Sequence, residues 1–178
     1  KVLDMLRTHQ KLWDGHLGQI NGVEHRITTA GGPTRQQPYR CGQQTREAVN
    51  DEIERMSSMG VIEPSTSEWS APIVLIPKPD GTLRFCIDYR KLNALTVRDC
   101  YPLPRMCDCL DNLGDATIFS TIDANCGYWQ LSVADEDKDK TIFMSHKGTY
   151  RFVRMPFGLI NAPATFQRAM DVILSKVL

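Results

Sequence analysis

One acidic side chain stands where the sequence changes character. Asp123 ends an apolar run, residues 117–122, and is followed by the bulky sequence Gly127-Tyr128-Trp129. A carboxylate at the end of a buried strand is costly unless a cation meets it. Magnesium prefers such oxygen ligands and is usually held by one or two carboxylates together with substrate phosphates. Asp123 is therefore either a surface residue at a strand end or a metal ligand, and the residue alone does not decide between them.

A second acidic cluster has the spacing of a calcium loop at its start. Asp135, Asp137 and Asp139 fall at the first, third and fifth positions of an EF-hand loop. The sixth position should be glycine and is Lys140, and the twelfth should be glutamate and is His146. The EF-hand is therefore excluded, and the cluster is predicted to be a solvated turn.

The cysteines offer a different kind of metal site. The chain has six of them and no CxxC pair: Cys41, Cys86, Cys100, Cys107, Cys109 and Cys126. Three lie close enough in sequence to share a metal, namely Cys100, Cys107 and Cys109. Reduced thiols of an intracellular protein are the favoured interpretation.

Composition indicates a globular chain with segregated charge. The 178 residues are 42% hydrophobic and 24% charged, with a formal net charge of zero. No apolar run reaches the ~18 residues of a membrane span, and the first ten residues lack signal-peptide features. Segments 78–105 and 140–178 are basic, whereas 106–139 is acidic. This pattern fits either a cation-binding centre with phosphate-contacting walls or ordinary solvated faces, and the charges leave both open.

The first half of the chain predicts one helix and one hairpin. Residues 1–44 are predicted to be an irregular lead-in with a short opening helix and a strand at His25–Thr29. From Thr45 the apolar spacing is helical, with Gly60 as the stop; the apolar residues are Val49, Ile53 and Met56. Two apolar runs then flank a turn at Pro79-Asp80-Gly81, which is typical of a β-hairpin.

The second half predicts alternating helices and strands. Pro102 and Pro104 open a helix that ends at Gly114, and one face of it is apolar: Leu103, Met106, Leu110 and Leu113. Residues 117–122 are predicted to form a strand and Leu131–Val133 more extended structure. A second hairpin should turn at Lys147-Gly148. A last helix, capped by Asn161 with Pro163 in its first turn, should face a core with Phe166, Met170, Ile173 and Val177. An α+β fold follows.

The ordered motifs carry a family resemblance. The stretches IPKPDGTLRFCIDYRKLN, YPLPRM, FSTIDANCGYWQL, DKDKTIF and YRFVRMPFGLINAPATFQRAM are similar in order and spacing to reverse transcriptases of gypsy-type long-terminal-repeat retrotransposons, and more distantly to those of retroviruses. The resemblance implies a right-hand polymerase fold with a fingers subdomain and an incomplete palm. It assigns 1–44 to the lead-in, 45–97 and 131–161 to fingers, 98–130 to the palm with its first catalytic aspartate, and 162–178 to a truncated palm helix.

The resemblance also implies roles for individual residues. Asp123 would be catalytic and would bind Mg²⁺ (or Mn²⁺) together with the backbone carbonyl of Ala124, and Tyr128 would be the steric gate against a 2′-hydroxyl. Lys78 and Arg84 would hold the triphosphate of a dNTP.

Further positions line the nucleotide pocket and the template path in this family. Pro156, Phe157 and Gly158 would form a strip between nucleotide and template, with Pro156 on the template side. Arg90 and Asn93, within the Asp88-to-Asn93 motif, would support the fingers and contact the template or primer.

The implied function is an RNA-directed DNA polymerase that extends a primer on RNA or DNA. Its expected partners are template-primer, dNTPs and the rest of a Pol polyprotein (palm, thumb and ribonuclease H), and not a membrane. The expected location is the cytoplasm, in a virus-like particle, or the nucleus, without secretion. The sequence departs from the family at Cys126 and Cys107, where serine and aspartate are common, and it contains no adjacent Asp-Asp pair. It starts with lysine and is interpreted as a fragment. A catalytically inactive remnant that binds nucleic acid or a partner therefore stays an alternative.

Overall fold

The computed structural model describes residues 2–10, 14–40 and 42–175. Its five helices are α1 (Val2–Thr8), α2 (Gln43–Ser58), α3 (Arg90–Leu95), α4 (Met106–Asp111) and α5 (Ala162–Leu174). Its seven strands are β1 (Glu24–His25), β2 (Ile62–Pro64), β3 (Ala71–Pro77), β4 (Leu83–Ile87), β5 (Ser132–Val133), β6 (Phe143–Ser145) and β7 (Gly148–Phe152). Two 3₁₀ turns, Gly127–Gln130 and Asp135–Thr141, complete the regular structure. The α+β prediction is confirmed.

The main sheet combines strands from two separated parts of the chain. Its order is β2-β7-β6-β3-β4, with β3 and β6 parallel and the other pairs antiparallel. β3 and β4 form the predicted first hairpin, and β6 and β7 form the second. The second hairpin turns one residue earlier than predicted, because Ser145 pairs with Gly148 and leaves His146-Lys147 as the turn. A small parallel pair, β1 with β5, lies apart from this sheet.

Helix α2 covers part of the sheet with the predicted apolar residues. Val49, Ile53 and Met56 are buried together with Phe143 and Phe152 of the second hairpin. Full burial of each such side chain stabilises the fold by about 1.5–3 kcal/mol. The helix ends where Gly60 adopts a φ of +65°, a conformation that favours glycine. The helical period in this segment therefore predicted both the buried face and the end of α2.

A second core lies under α5. It joins Ile27, Tyr89, Leu131, Met155 and Ala169, with Phe166 and Met170 packed against it. Asn161 stands at the start of α5 as predicted, but its side chain does not cap the helix. Its amide group instead donates to the Val97 carbonyl (2.8 Å) and accepts from the Asp99 N–H (3.0 Å). Ile173 is 46% exposed, and Val177 lies outside the described residues.

The acidic cluster at 135–139 is not the fully solvated turn that was predicted. Asp137 is buried, and its carboxylate accepts from the Ile27 N–H (2.8 Å) and from Lys140 Nζ (2.6 Å). Lys140 also donates to the Ile27 carbonyl (2.5 Å). A buried carboxylate is tolerated when it is paired and hydrogen-bonded, as here. The cluster therefore ties the lead-in segment to the second half of the chain.

Three predictions for the first half and middle of the chain gave more regular secondary structure than the described residues contain. Residues 117–122 pair with no described residue, and their apolar side chains are exposed: Ile118, Phe119 and Ile122. Without a partner strand, the backbone groups of such a segment gain no ladder of hydrogen bonds. The helix predicted to end at Gly114 is reduced to the six residues of α4, and the apolar residues predicted to form its buried face are exposed: Leu103, Met106, Leu110 and Leu113. The strand predicted at His25–Thr29 is only Glu24–His25.

Candidate nucleotide-binding site

The β3–β4 hairpin positions the two predicted phosphate-binding cations at the base of its turn. Lys78 and Thr82 close the turn through a backbone hydrogen bond (2.8 Å). Asp80 Oδ1 accepts from the N–H (2.9 Å) and the hydroxyl (2.6 Å) of Thr82, and Gly81 has a φ of +81°. Arg84 follows on β4. Because the turn holds itself together, both cations are displayed on a defined loop at little energetic cost.

An aromatic layer forms below this hairpin. The Tyr128 ring stacks on Phe157 with 5.1 Å between centroids and an interplanar angle of 24°, and it meets Phe166 at 5.3 Å. Gly127 allows the approach, because a Cβ there would lie 3.0 Å from the Phe166 ring. Cys126 precedes it with a φ of +48°, which is unusual for a residue other than glycine. Burial raises the pKa of the Tyr128 hydroxyl.

Hairpin and aromatic layer enclose one cavity of about 710 Å³. Three of the predicted nucleotide-binding residues line it: Lys78, Arg84 and Phe157. The sequence interpretation missed the rest of the wall, which comes from α2, from β3 and β4, and from the 3₁₀ turn: Ala48, Glu52, Arg55, Leu75, Leu83, Phe85, Cys86, Cys126 and Trp129. Tyr128 reaches this region by stacking on Phe157 rather than as part of the wall. The volume lies in the range of small-molecule binding sites, about 300–1,000 Å³.

Asp123 and Ala124 lie on the exposed segment that leads into the 3₁₀ turn. The Asp123 carboxylate makes no hydrogen bond or ion pair with any described residue. No group of three or more histidine, cysteine, aspartate or glutamate side chains in the described ranges is placed to hold a metal ion, which includes Cys100, Cys107 and Cys109. Asp123 and the Ala124 carbonyl offer two oxygen ligands of the kind magnesium prefers, and they fit part of such a site.

Asn93 supports the strip at 156–158 from behind. Its side-chain amide donates to the Gly158 carbonyl (2.8 Å), and its oxygen accepts from the Ile160 N–H (2.9 Å). Gly158 has a φ of +92°, where another residue would be strained. Pro156 is buried, while Phe157 is 55% exposed. Asn93 therefore holds the turn that presents Phe157, a role that the sequence did not reveal because its partners are remote along the chain.

Arg90 lies at the surface and forms a close ion pair. Its guanidinium donates twice to Asp88 (2.9 and 2.7 Å), and Tyr39 donates to the same carboxylate (3.1 Å). The hydrogen bonds from Arg90 hold the pKa of the Asp88 carboxyl well below its usual range, and Asp88 raises the pKa of Arg90 in return. The Arg90 side chain is nevertheless 83% exposed, so its outer edge remains available for a phosphate.

Comparison with known proteins places this arrangement in a family. Residues 76–178 match the family model described as reverse transcriptase (RNA-dependent DNA polymerase). The chain is 40% identical over 164 residues to the retrovirus-related Pol polyprotein from transposon 297 of Drosophila melanogaster, covering 89% of this chain and 16% of that protein. It is also 40% identical over 134 residues to the Pol polyprotein from transposon gypsy of the same species, covering 72% of this chain and 13% of that protein.

Solved structures agree with this placement at the level of the fold. The prototype foamy virus protease-reverse transcriptase superposes with a TM-score of 0.87 at 23% identity, covering 99% of this chain and 24% of that one. A structure of the foamy viral protease-reverse transcriptase in complex with an RNA/DNA hybrid superposes with a TM-score of 0.80 at 22% identity, with the same coverage.

The chain belongs to the reverse transcriptase (RNA-dependent DNA polymerase) family, whose model matches more than half of its residues. The two relatives named above are gypsy-type retrotransposon Pol polyproteins, so the resemblance seen in the sequence is confirmed. The chain spans 16% and 13% of the length of the two relatives named above. In the ranges that the structure describes, no helix has the length and apolar character needed to cross a membrane.

Proposed function

We propose that this chain is the nucleotide-selecting part of an RNA-directed DNA polymerase encoded by a gypsy-type retrotransposon. The observation that carries the proposal is the shared cavity, in which hairpin cations Lys78 and Arg84 face the aromatic wall formed by Trp129 and Phe157. Cations suit the triphosphate, and aromatic rings suit the sugar and base. In the proposed arrangement, 45–97 and 131–161 are fingers, 98–130 and 162–178 belong to the palm, and 1–44 is the lead-in segment.

Each residue of the site has a proposed task in nucleotide addition. Lys78 and Arg84 bind the triphosphate oxygens, and Arg84 can do so with two parallel donors. Tyr128, backed by Phe157, excludes a ribose 2′-hydroxyl. Asp123 and the Ala124 carbonyl would hold part of a divalent metal site, with Mg²⁺ or Mn²⁺ as the ion. Such ions, when bound, activate an attacking hydroxyl and stabilise the leaving oxygen.

The proposed partners follow from the same surfaces. Arg90 would lie along the template-primer, and the buried Pro156 and the turn that Asn93 holds at Gly158 would support that contact from within. The foamy virus relative binds an RNA/DNA hybrid, which supports a hybrid as a substrate here. The remaining carboxylates, the thumb and ribonuclease H would come from the rest of the Pol polyprotein, as the short coverage of the relatives suggests.

Nucleotide binding by the 178-residue chain tests the proposal directly. A fluorescent dNTP with Mg²⁺ should bind and be displaced by unlabelled dNTP. Lys78→Gln and Arg84→Gln should each weaken binding about 10- to 100-fold, since a hydrogen bond to a charged group contributes about 1.5–3 kcal/mol. Lys91→Gln, which removes a charge from α3 outside the cavity, is the matched control. Equal losses in all three variants would show that only net charge matters and would contradict the assigned site.

Primer extension tests the catalytic half separately. The chain should bind template-primer in a salt-sensitive way, because contacts with phosphates release counterions. It should not extend the primer, because two-metal catalysis needs both cations held in place, and the single carboxylate of Asp123 supplies too few ligands for two divalent cations. Incorporation by the unmodified chain that disappears in Asp123→Asn would show that the essential carboxylates have been misplaced. Template-primer binding without any dNTP binding would instead favour the inactive remnant.

A further inference from the structure

Arg55 lies on α2 and lines the same cavity as the hairpin cations Lys78 and Arg84. Glu52, one turn earlier, fixes its guanidinium through two hydrogen bonds, from Nε (2.9 Å) and Nη2 (2.7 Å), while Nη1 reaches Met59 Sδ (3.4 Å). The guanidinium carbon lies 5.1 Å from the centroid of the Trp129 ring. A cation at this distance attracts the face of the indole. The Arg55 guanidinium is therefore held over the Trp129 ring by its hydrogen bonds to Glu52.

Trp129 is an unusual member of the cavity wall. It is only 6% exposed, and its indole Nε1–H has no hydrogen-bond acceptor among the described residues. A buried indole usually has such a partner, which fixes the direction of its ring. Here the ring direction depends on packing alone, with Arg55 on the α2 side and Phe157 at 6.2 Å between centroids.

The contact continues to the residue proposed as the sugar gate. Phe157, which meets Trp129, stacks on Tyr128 at 5.1 Å. A rotation of the indole would therefore move Phe157 and change the support under the Tyr128 ring. Rings in direct contact transmit small displacements of this kind, and Phe157 contacts both Trp129 and Tyr128.

We propose that Arg55 is a positioning residue for sugar selection, which acts through Trp129 and Phe157 on Tyr128 without touching the nucleotide sugar itself. The inference rests on the proposed function, because it assumes that this cavity binds the nucleotide. Arg55 should matter for the ratio of ribonucleotide to deoxyribonucleotide affinity more than for affinity to phosphates.

Three substitutions distinguish the effect of the Arg55 charge from the effect of its position over Trp129. Arg55→Met removes the cation but keeps the length of the side chain, Arg55→Lys restores a cation, and Glu52→Gln leaves the cation but removes its ionic partner. Arg46→Met makes the same charge change on the exposed part of α2 and is the matched control. Circular dichroism confirms that each variant is folded.

Two measurements on the 178-residue chain test the inference. The first is the ratio of Kd values for ATP and dATP with Mg²⁺, with inorganic tripolyphosphate as a phosphate-only reference. We expect Arg55→Met to lower the ATP/dATP ratio about 3- to 10-fold, the range that loss of a cation–π contact allows. Glu52→Gln should lower the ratio by a smaller factor, Arg55→Lys should restore most of it, and Arg46→Met should leave it unchanged.

The second measurement follows the indole itself by fluorine NMR of 5-fluorotryptophan-labelled chain, with the Trp129 signal assigned from its loss in Trp129→Phe. The signal should shift and broaden in Arg55→Met and not in Arg46→Met. An unchanged Kd ratio in a folded Arg55→Met chain overturns the inference, whether or not the Trp129 signal moves. If Arg55→Met fails to fold, an unchanged ratio in Glu52→Gln overturns it instead. Absence of dATP binding by the unmodified chain would refute the proposed function, and this specificity role with it.

Discussion

The buried His25 should make the fold sensitive to acid. It is 1% exposed, and its Nδ1 lies 2.8 Å from the Thr165 hydroxyl, which donates in turn to the Asn161 carbonyl (3.2 Å). Which of the two groups donates in this contact depends on the tautomer of the neutral ring. Burial lowers the pKa of His25 from 6.5 to about 4, although Asp137 and Asp99 act in the opposite direction. The native state therefore binds a proton less readily than the unfolded chain.

The sign and size of the effect follow from these two pKa values. Between the unfolded and native pKa the unfolded chain is protonated and the native chain is not, so stability falls as the pH is lowered through this window. Near pH 5 the loss is about 2 kcal/mol, and below pH 4 it reaches about 3 kcal/mol. His25→Asn keeps a donor near the Nδ1 position and does not titrate, so it should lack this part of the acid sensitivity.

Urea unfolding followed by circular dichroism at about pH 7.5 and about pH 5 measures the difference. The free energy of unfolding of the unmodified chain should fall by about 2 kcal/mol more than that of His25→Asn. Parallel losses in the two proteins would refute the reasoning. NMR gives an independent check if the variant is too unstable to compare. The His25 imidazole signal should keep its neutral position at about pH 5.5, and a midpoint near pH 6.5 would contradict the proposed burial.

Three other substitutions test separate parts of the molecule. Tyr128→Ala should raise ribonucleotide affinity relative to deoxyribonucleotide affinity, and unchanged discrimination would count against the gate. Lys140→Met leaves the buried Asp137 unpaired and should cost about 3–5 kcal/mol of unfolding free energy in urea, whereas Lys138→Met, whose partner is exposed, should change it by less than about 1 kcal/mol. Asn93→Ala should lower the free energy of unfolding by about 1–3 kcal/mol and speed hydrogen exchange at the Ile160 amide. Unaltered exchange would show that other contacts fix the turn at Gly158.

Local patterns predicted the elements whose partners are close in sequence. The helical spacing of Val49, Ile53 and Met56 located α2, and the Asp80-Gly81 turn located the first hairpin, because periodicity and turn chemistry act over a few residues. The same hairpin motif, through the family resemblance, led to the cations Lys78 and Arg84, which the structure places in one cavity.

The incorrect predictions have a shared physical cause. The apolar run at 117–122 has the composition of a buried strand, but composition cannot show whether a pairing partner exists. Asp137 looked solvated because its neighbours in sequence are polar, while the backbone group it binds belongs to Ile27. Arg55 gave no signal for a similar reason, and Asn93 was singled out only through the family resemblance. The contact that each makes depends on a ring or a carbonyl brought near only by the fold. Long-range contacts therefore limited what the sequence could predict about the site.

The parallel pairing of β3 with β6 has a consequence for synthesis on the ribosome. Strands β2, β3 and β4 emerge well before β6, and β6 lies between β7 and β3 in the finished sheet. Until β6 emerges, β3 has only β4 as a neighbour, and until β7 emerges, β2 has none. The nascent chain therefore carries unpaired strand edges while the acidic middle segment is translated. Closing so long a loop also slows folding. A chaperone that binds apolar extended segments should therefore associate with this chain during translation and leave it once residue 152 is free.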